Sequence, residues 1–220
     1  MNQRSGLGQG GFGKKRSQAA GEPGAAPGDK PPARREPRPV RKVTAQYLEN
    51  AALYYLGRFS ASSGHLRQLL LRRVDRSARA HDTDPVAGRE MVDALIARFL
   101  RSGLLDDSAY AAGRARSLRR RGASRSVIAQ NLRAKRVTSD DIAEAVVAAD
   151  ADSLADGEDA ELQAAWRLAR RKKLGPYRRQ EQRADLRMRD MGAMARGGFP
   201  YAIARRVIDA ASLDDAPPLD

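Results

Sequence analysis

The chain has 220 residues, with 41 Lys and Arg against 27 Asp and Glu and a formal charge of +14. That length is ample for a buried core in one or two domains, and the absence of cysteine excludes disulfides, thiolate metal sites and a cysteine nucleophile. Val, Ile and Thr together make only 18 residues, against an abundance of Ala, Leu and Arg, so the composition predicts an all-helical protein.

Residues 1–42 are Gly-rich (Gly6, Gly8, Gly10, Gly11, Gly13), then Pro-rich (Pro31, Pro32, Pro37, Pro39), with Phe12 as the one aromatic and a net charge of +7. Without apolar periodicity, such a segment buries too little to offset its ordering entropy. A disordered basic N-terminal arm is expected there.

Thr44 is a plausible N-cap for a first helix, in which Leu48, Ala51, Ala52, Tyr55, Leu56 and Phe59 recur at helical spacing. Residues 60–64 break it. Leu66, Leu69, Leu70 and Val74 predict a short second helix capped by Ser62 or Ser63, and Arg76 to Asp84 reads as a polar loop. Asp84-Pro85 then opens a third helix through Val92, Leu95, Ile96, Phe99 and Leu100, stopped at Gly103. Asp106 or Asp107 starts a fourth, through Tyr110, Ala111 and Leu118 to Gly122. Ser124 caps a fifth with Val127, Ile128 and Leu132. Thr138 with Asp141 resembles a capping box ahead of Ile142, Val146 and Val147. After an acidic stretch from Asp150 to Glu161 come Leu162, Ala165, Trp166 and Ala169, a stop at Gly175-Pro176, a helix with Leu186, Met188, Met191 and Met194, and a last one with Ile203, Val207 and Ile208.

These nine helices fall into three groups of three, expected over 43–105, 106–150 and 151–212, with a disordered tail over 213–220. Lys135-Arg136-Val137-Thr138 ahead of Ile142 parallels Arg196-Gly197-Gly198-Phe199-Pro200 ahead of Ile203, with a one-residue slip. Tandem three-helix, helix-turn-helix-like repeats are therefore expected, stacked into an elongated, curved body.

Chemistry-bearing groups are scarce. His65 and His81 lie sixteen apart with no carboxylate cluster between them, and no Gly-x-x-x-x-Gly-Lys-Ser/Thr loop occurs. Asp106-Asp107 is explained by capping and the helix dipole, and the Met188, Met191, Met194 stripe and Trp166 by core packing. No nucleophile–base pair emerges, so neither enzymatic activity nor a cofactor or metal is expected. No apolar run is long enough to span a bilayer and no signal-like h-region precedes the body, so a cytoplasmic protein is expected. The signal is charge. Residues 108–139 carry nine basic groups and no acid, and 167–189 carry ten against two. Like-sign concentration costs self-repulsion unless an anion compensates it. Arg114, Arg119, Arg120, Arg121, Lys135, Arg136, Arg170, Arg171, Lys172 and Lys173 are the candidates for contact with phosphates or an acidic protein groove.

Four segments resemble one family, RecX, the small regulators of RecA recombinase. Gly103-Leu104-Leu105-Asp106-Asp107-Ser108-Ala109-Tyr110-Ala111 is similar to the family's Gly-Leu/Ile-Leu/Ile-Asp-Asp-x-x-Phe/Tyr-Ala junction. Tyr47-Leu48 through Leu56-Gly57-Arg58-Phe59 and Ser60, Ser62-Ser63 and Leu66 resembles its N-terminal motif, with Phe59 where many members carry a basic residue and Gly64-His65 in place of an acidic pair-former. Leu132-Arg133-Ala134-Lys135-Arg136-Val137 resembles a Leu-x-x-Lys-Gly-Ile turn, with Arg136 at the glycine. Arg196-Gly197-Gly198-Phe199-Pro200-Tyr201 resembles the terminal Arg-Arg-Gly-Phe-Ser-Tyr motif, with Gly197 and Pro200 substituted. The resemblance covers roughly residues 44–210.

It implies three tandem three-helix repeats, no catalysis, and binding in the groove of a RecA–single-stranded-DNA filament. There it would modulate, mainly inhibit, ATP hydrolysis, filament growth and strand exchange in recombinational repair and the SOS response. Leu104, Leu105, Asp106, Asp107, Tyr110, Gly198 and Phe199 are its motif positions, and Tyr110 and Phe199 are expected to pack at repeat junctions. The partners so implied are the RecA filament and single-stranded DNA, with double-stranded DNA left open. Lack of heptads favours a monomer. A helix-turn-helix transcription factor and a non-specific nucleic-acid-binding scaffold stay open as alternatives.

Overall fold

A computed structural model describes residues 39–152 and 159–217, so the arm expected over 1–42 lies outside them as far as residue 38. Seven of the nine α-helices among these residues open on a side chain that accepts a backbone N–H: Thr44, Ser62, Asp84, Asp106, Ser124, Thr138 and Asp159. They cap α1 (Ala45–Leu56), α2 (Ser63–His81), α3 (Pro85–Arg101), α4 (Asp107–Arg120), α5 (Arg125–Ala134), α6 (Ser139–Ala151) and α7 (Ala160–Lys172). Then α8 (Gln180–Arg196) and α9 (Tyr201–Ile208) start at Arg179 and Pro200 without a side-chain cap. Short 3₁₀ turns occupy Gly175–Tyr177 and Leu213–Asp215. The described residues are all helix and turn.

The helices pack in consecutive threes, each three around its own core. The first is built from Leu48, Leu66, Leu70, Val74, Val92 and Phe99, with Leu105 closing it. The second has small residues where α4 meets α6, Ala111 and Ala115 facing Ala145 and Ala149, and larger ones at Ile128, Leu132, Val137 and Ile142. Small residues at i and i+4 on both helices let their backbones approach closely. The third surrounds Trp166, 1% exposed, whose ring meets Tyr177 edge-on at 6.2 Å.

Four turns share one stop. Gly122, Arg136, Lys173 and Gly198 all take positive φ, and the next residue's N–H reaches back five residues, as Val137 does to Leu132 and Phe199 to Met194. This is the Schellman arrangement, in which an apolar residue after the left-handed position folds onto the helix it has just left. It explains why a basic turn followed by one apolar residue recurs in the sequence: Val137, Leu174 and Phe199 are all buried.

Several expectations are corrected. The second helix is long: it runs through the segment read as a polar loop to His81, because Arg and Ala favour helix and Ser77 is buried, accepting the Val43 N–H at 2.9 Å. The methionine stripe splits, since steps of three drift around a helix, leaving Met191 and Met194 buried and Met188 75% exposed. Counting from the N-cap, Ala204 and not Ile203 corresponds to Ile142, which removes the slip; Ala204 is buried and Ile203 half-buried. Phe199 packs in the third core, directly after the Gly197–Gly198 turn that meets Ser124 of the second triplet. The start of the tail read as disordered forms the Leu213–Asp215 turn, held by a reciprocal Ser212–Asp215 capping box.

Candidate partner and nucleic-acid interface

The triplets are joined by a repeated lock. At the first junction the Ser62 hydroxyl, besides capping α2, donates to the Lys135 carbonyl, and at the second Ser124 caps α5 and donates to the Gly197 carbonyl at 2.7 Å. Both pairs are separated by 73 residues. A second bond accompanies each. Asp107, one residue past the α4 cap, accepts from the Ser63 N–H at 2.6 Å and the Ser63 hydroxyl at 2.5 Å, while Glu161 of α7 accepts from the Arg125 N–H at 3.1 Å. The neighbouring acids Asp106 and Asp107 thus divide the work, Asp106 capping its own helix through the Ala109 N–H and Asp107 anchoring the previous triplet. Leu105 is buried and Leu104 exposed. Tyr110 is half-buried against the second core, beside Ser60 from the end of the first triplet.

Arg119 was expected among the partner contacts, and the structure corrects this. Its side chain is fully buried, paired with Asp150 and with Glu161 at 2.8 Å, and it donates to the Ala123 carbonyl at 2.9 Å. Arg125 adds a 2.5 Å pair to Asp150. Two cations and two carboxylates balance, and they bind the end of α6 to the start of α7, so this arginine belongs to the framework. A basic run in the sequence hides it, because its acids lie 31 and 42 residues away.

The other candidates stay at the surface, in two places. Around the α4 and α7 C-termini, Arg171 donates to the Arg121 carbonyl at 2.6 Å, which brings Arg120 and Arg121 beside Arg170, Arg171, Lys172 and Lys173. Arg121 also bonds the Ser117 hydroxyl at 2.7 Å, and Arg120, Arg170, Lys172 and Lys173 have no acidic partner among the described residues. At the other junction Lys135 and Arg136 sit against the α2 N-terminus, where Arg136 Cβ faces Gly64. Arg114 turns towards α5 and donates to Asn131 at 2.9 Å. A further group escaped the sequence reading: Arg72, Arg76 and Arg79, one exposed stripe of α2 at helical spacing. The signal was present in the spacing, but the supposed loop concealed it.

Two groups show the local fields. Burial, then the charges of Lys135 and Arg72, hold the His65 imidazole below its ordinary range. In the third triplet burial pushes Asp190 up, but the Arg178 fork at 2.7 Å and the Gly175 N–H at 2.9 Å outweigh it and hold the carboxyl below the usual value. No cluster of metal-ligating residues occurs among the described residues, and none of their helices is long and apolar enough to cross a membrane.

The family model for the second three-helix domain of RecX matches residues 106–146. The chain is 47% identical over 177 residues to a regulatory protein RecX of Myxococcus xanthus, a match covering 80% of this chain and 91% of that one. It is 28% identical over 162 residues to a regulatory protein RecX of Agrobacterium fabrum, covering 74% and 82%. A crystal structure of a regulatory protein RecX superposes with a TM-score of 0.50 over 76% of this chain and 72% of the other, at 19% identity, and so shares the fold.

Proposed function

The chain belongs to the RecX family of regulatory proteins, and from that premise we propose that it binds the groove of a RecA–single-stranded-DNA filament in the cytoplasm and restrains ATP hydrolysis, filament growth and strand exchange. One observation carries the reading. Exposed cations without acidic partners among the described residues occur in all three triplets, at Arg72 and Arg76, at Arg120 and Arg136, and at Arg170, Lys172 and Lys173. Contacts spread over successive repeats suit a partner that is itself periodic, with phosphates lying between protein walls. No catalytic step is needed: the protein acts by binding, so the energetic requirement is differential affinity for one filament state.

The test is the ATPase rate of RecA on excess single-stranded DNA, titrated with this protein near physiological salt. Inhibition is expected at substoichiometric protein. The double variant Arg120→Glu, Arg170→Glu should shift the titration to higher concentration while circular dichroism remains helical. Inhibition only once the DNA is saturated would replace the filament reading with plain nucleic-acid binding.

A further inference from the structure

Aromatic rings are few in this chain, four Phe, six Tyr and one Trp, and four of them fall between Tyr47 and Phe59. Phe59 lies past the end of α1, where its N–H bonds the Tyr55 carbonyl at 2.9 Å and folds the ring back over Tyr55. The ring centroids are 5.2 Å apart, and the His65 ring stands 6.3 Å beyond Tyr55. Phe59 is 57% exposed, while Tyr55 beneath it is half-buried against the first core, which fixes the base of the stack. From Tyr55 the surface continues into a groove between α1 and α2, floored by Leu69 and edged by Arg72 and Arg76. Lys135 comes from the second triplet to the His65 side. Neighbouring acids are engaged elsewhere, Asp75 facing Arg89 at 4.0 Å and Asp107 holding Ser63.

We propose that this face binds single-stranded nucleic acid, with bases stacking on Phe59 and Tyr55 and the phosphates drawn to Arg72, Arg76 and Lys135. Stacking rings beside cations of one sign suit an unpaired strand, since every base offers a π-face only once it leaves the duplex stack. Burial, with the charges of Lys135 and Arg72, disfavours protonation of the neighbouring His65 ring, so no further cation lies directly beside Tyr55. The chemistry differs from that of the Arg120–Lys173 patch, where exposed cations and not an exposed aromatic stack form the surface. The proposal goes beyond the filament reading, because the face would hold a free strand with no recombinase present.

The experiment is fluorescence anisotropy of a fluorescein-labelled oligothymidylate, and of a duplex of equal length, with the full chain and no RecA. Phe59→Ala should weaken oligothymidylate binding roughly 5- to 150-fold, the loss of about one stacked base. Duplex affinity and the slope of log Kd against log salt should stay unchanged, because no phosphate contact is lost. Phe59→Trp should retain binding. Arg72→Gln with Arg76→Gln should instead flatten the slope. An unchanged oligothymidylate affinity in Phe59→Ala, or equal losses for strand and duplex, overturns the proposal. So does a loss seen only with RecA-coated filaments, which would make the face a protein contact. Failure here leaves the ATPase result standing, so the two readings fall separately.

Discussion

Arg119 and Arg120 are adjacent in sequence and opposite in role. The first is buried among Asp150, Glu161 and the Ala123 carbonyl, and the second is exposed and has no acidic partner among the described residues. Removing one member of a buried ion cluster leaves carboxylates without their counterion, at a cost of about 3–5 kcal/mol. Arg119→Met should therefore lower the thermal midpoint strongly, while Arg120→Glu should leave it nearly unmoved and weaken filament binding. Melting curves beside binding isotherms check both. If Arg119→Met melts normally, the cluster is not what joins α6 to α7. A composition rule cannot separate the two arginines, because what distinguishes them is the return of acids from two later helices. Asp106 was legible as a helix start for the opposite reason: a cap is satisfied within three residues, so its signal is local, whereas the bond from Ser63 to Asp107 spans 44 residues and left no such signal.

At the scale of the element, the two junctions solve one steric problem from opposite sides. An added Cβ at Gly64 would lie 2.6 Å from Arg136 Cβ, and one at Gly198 would lie 2.6 Å from the Ser124 hydroxyl and 3.1 Å from Ser126 Cβ. Gly64 and Ser126 hold the same place, two residues after the capping serine, and Arg136 and Gly198 the same left-handed position. One glycine is needed per contact, on the helix at the first junction and on the turn at the second. The two departures noted in the sequence, Gly64-His65 and Arg136, are therefore linked. Gly64→Ser alone should cost about 1–3 kcal/mol through overpacking, and Arg136→Gly should recover only part of it in the double variant, because the Arg136 carbonyl oxygen still lies 2.9 Å from the added Cβ. Arg136→Gly alone should be slightly stabilising, since a non-glycine residue at φ 60° is strained, yet it should lose affinity for nucleic acid. Chemical denaturation of the four proteins measures the coupling, and additive effects would mean that the two positions do not meet. Helices, caps and the recurring basic turn with its following apolar residue were readable because each rests on spacing within about two turns of chain, whereas the left-handed geometry of those turns was not. The long α2 was missed because its C-terminal half lacks an apolar stripe and is fixed by Ser77 bonding to Val43 from outside the helix.

Across the whole molecule, three small cores are coupled by serine–carbonyl locks and carboxylate anchors, and stability in such arrays divides into repeat and interface contributions. The third triplet lacks this device: α8 begins at Arg179, with no capping side chain. Ser124→Ala removes a cap and a lock together, a loss of about 1–2 kcal/mol. Hydrogen exchange should then quicken in α5 and through α7 to α9, while α1 to α3 keep their protection. Uniform acceleration over all nine helices would instead mark a single cooperative unit. The distinction bears on function, because a protein that contacts a periodic partner through several repeats gains affinity from each only if their spacing matches that of the partner. Locks that yield locally would let one triplet adjust without releasing the others, so Ser124→Ala should also raise the dissociation rate from the filament more than it changes the affinity of any one patch for a short strand.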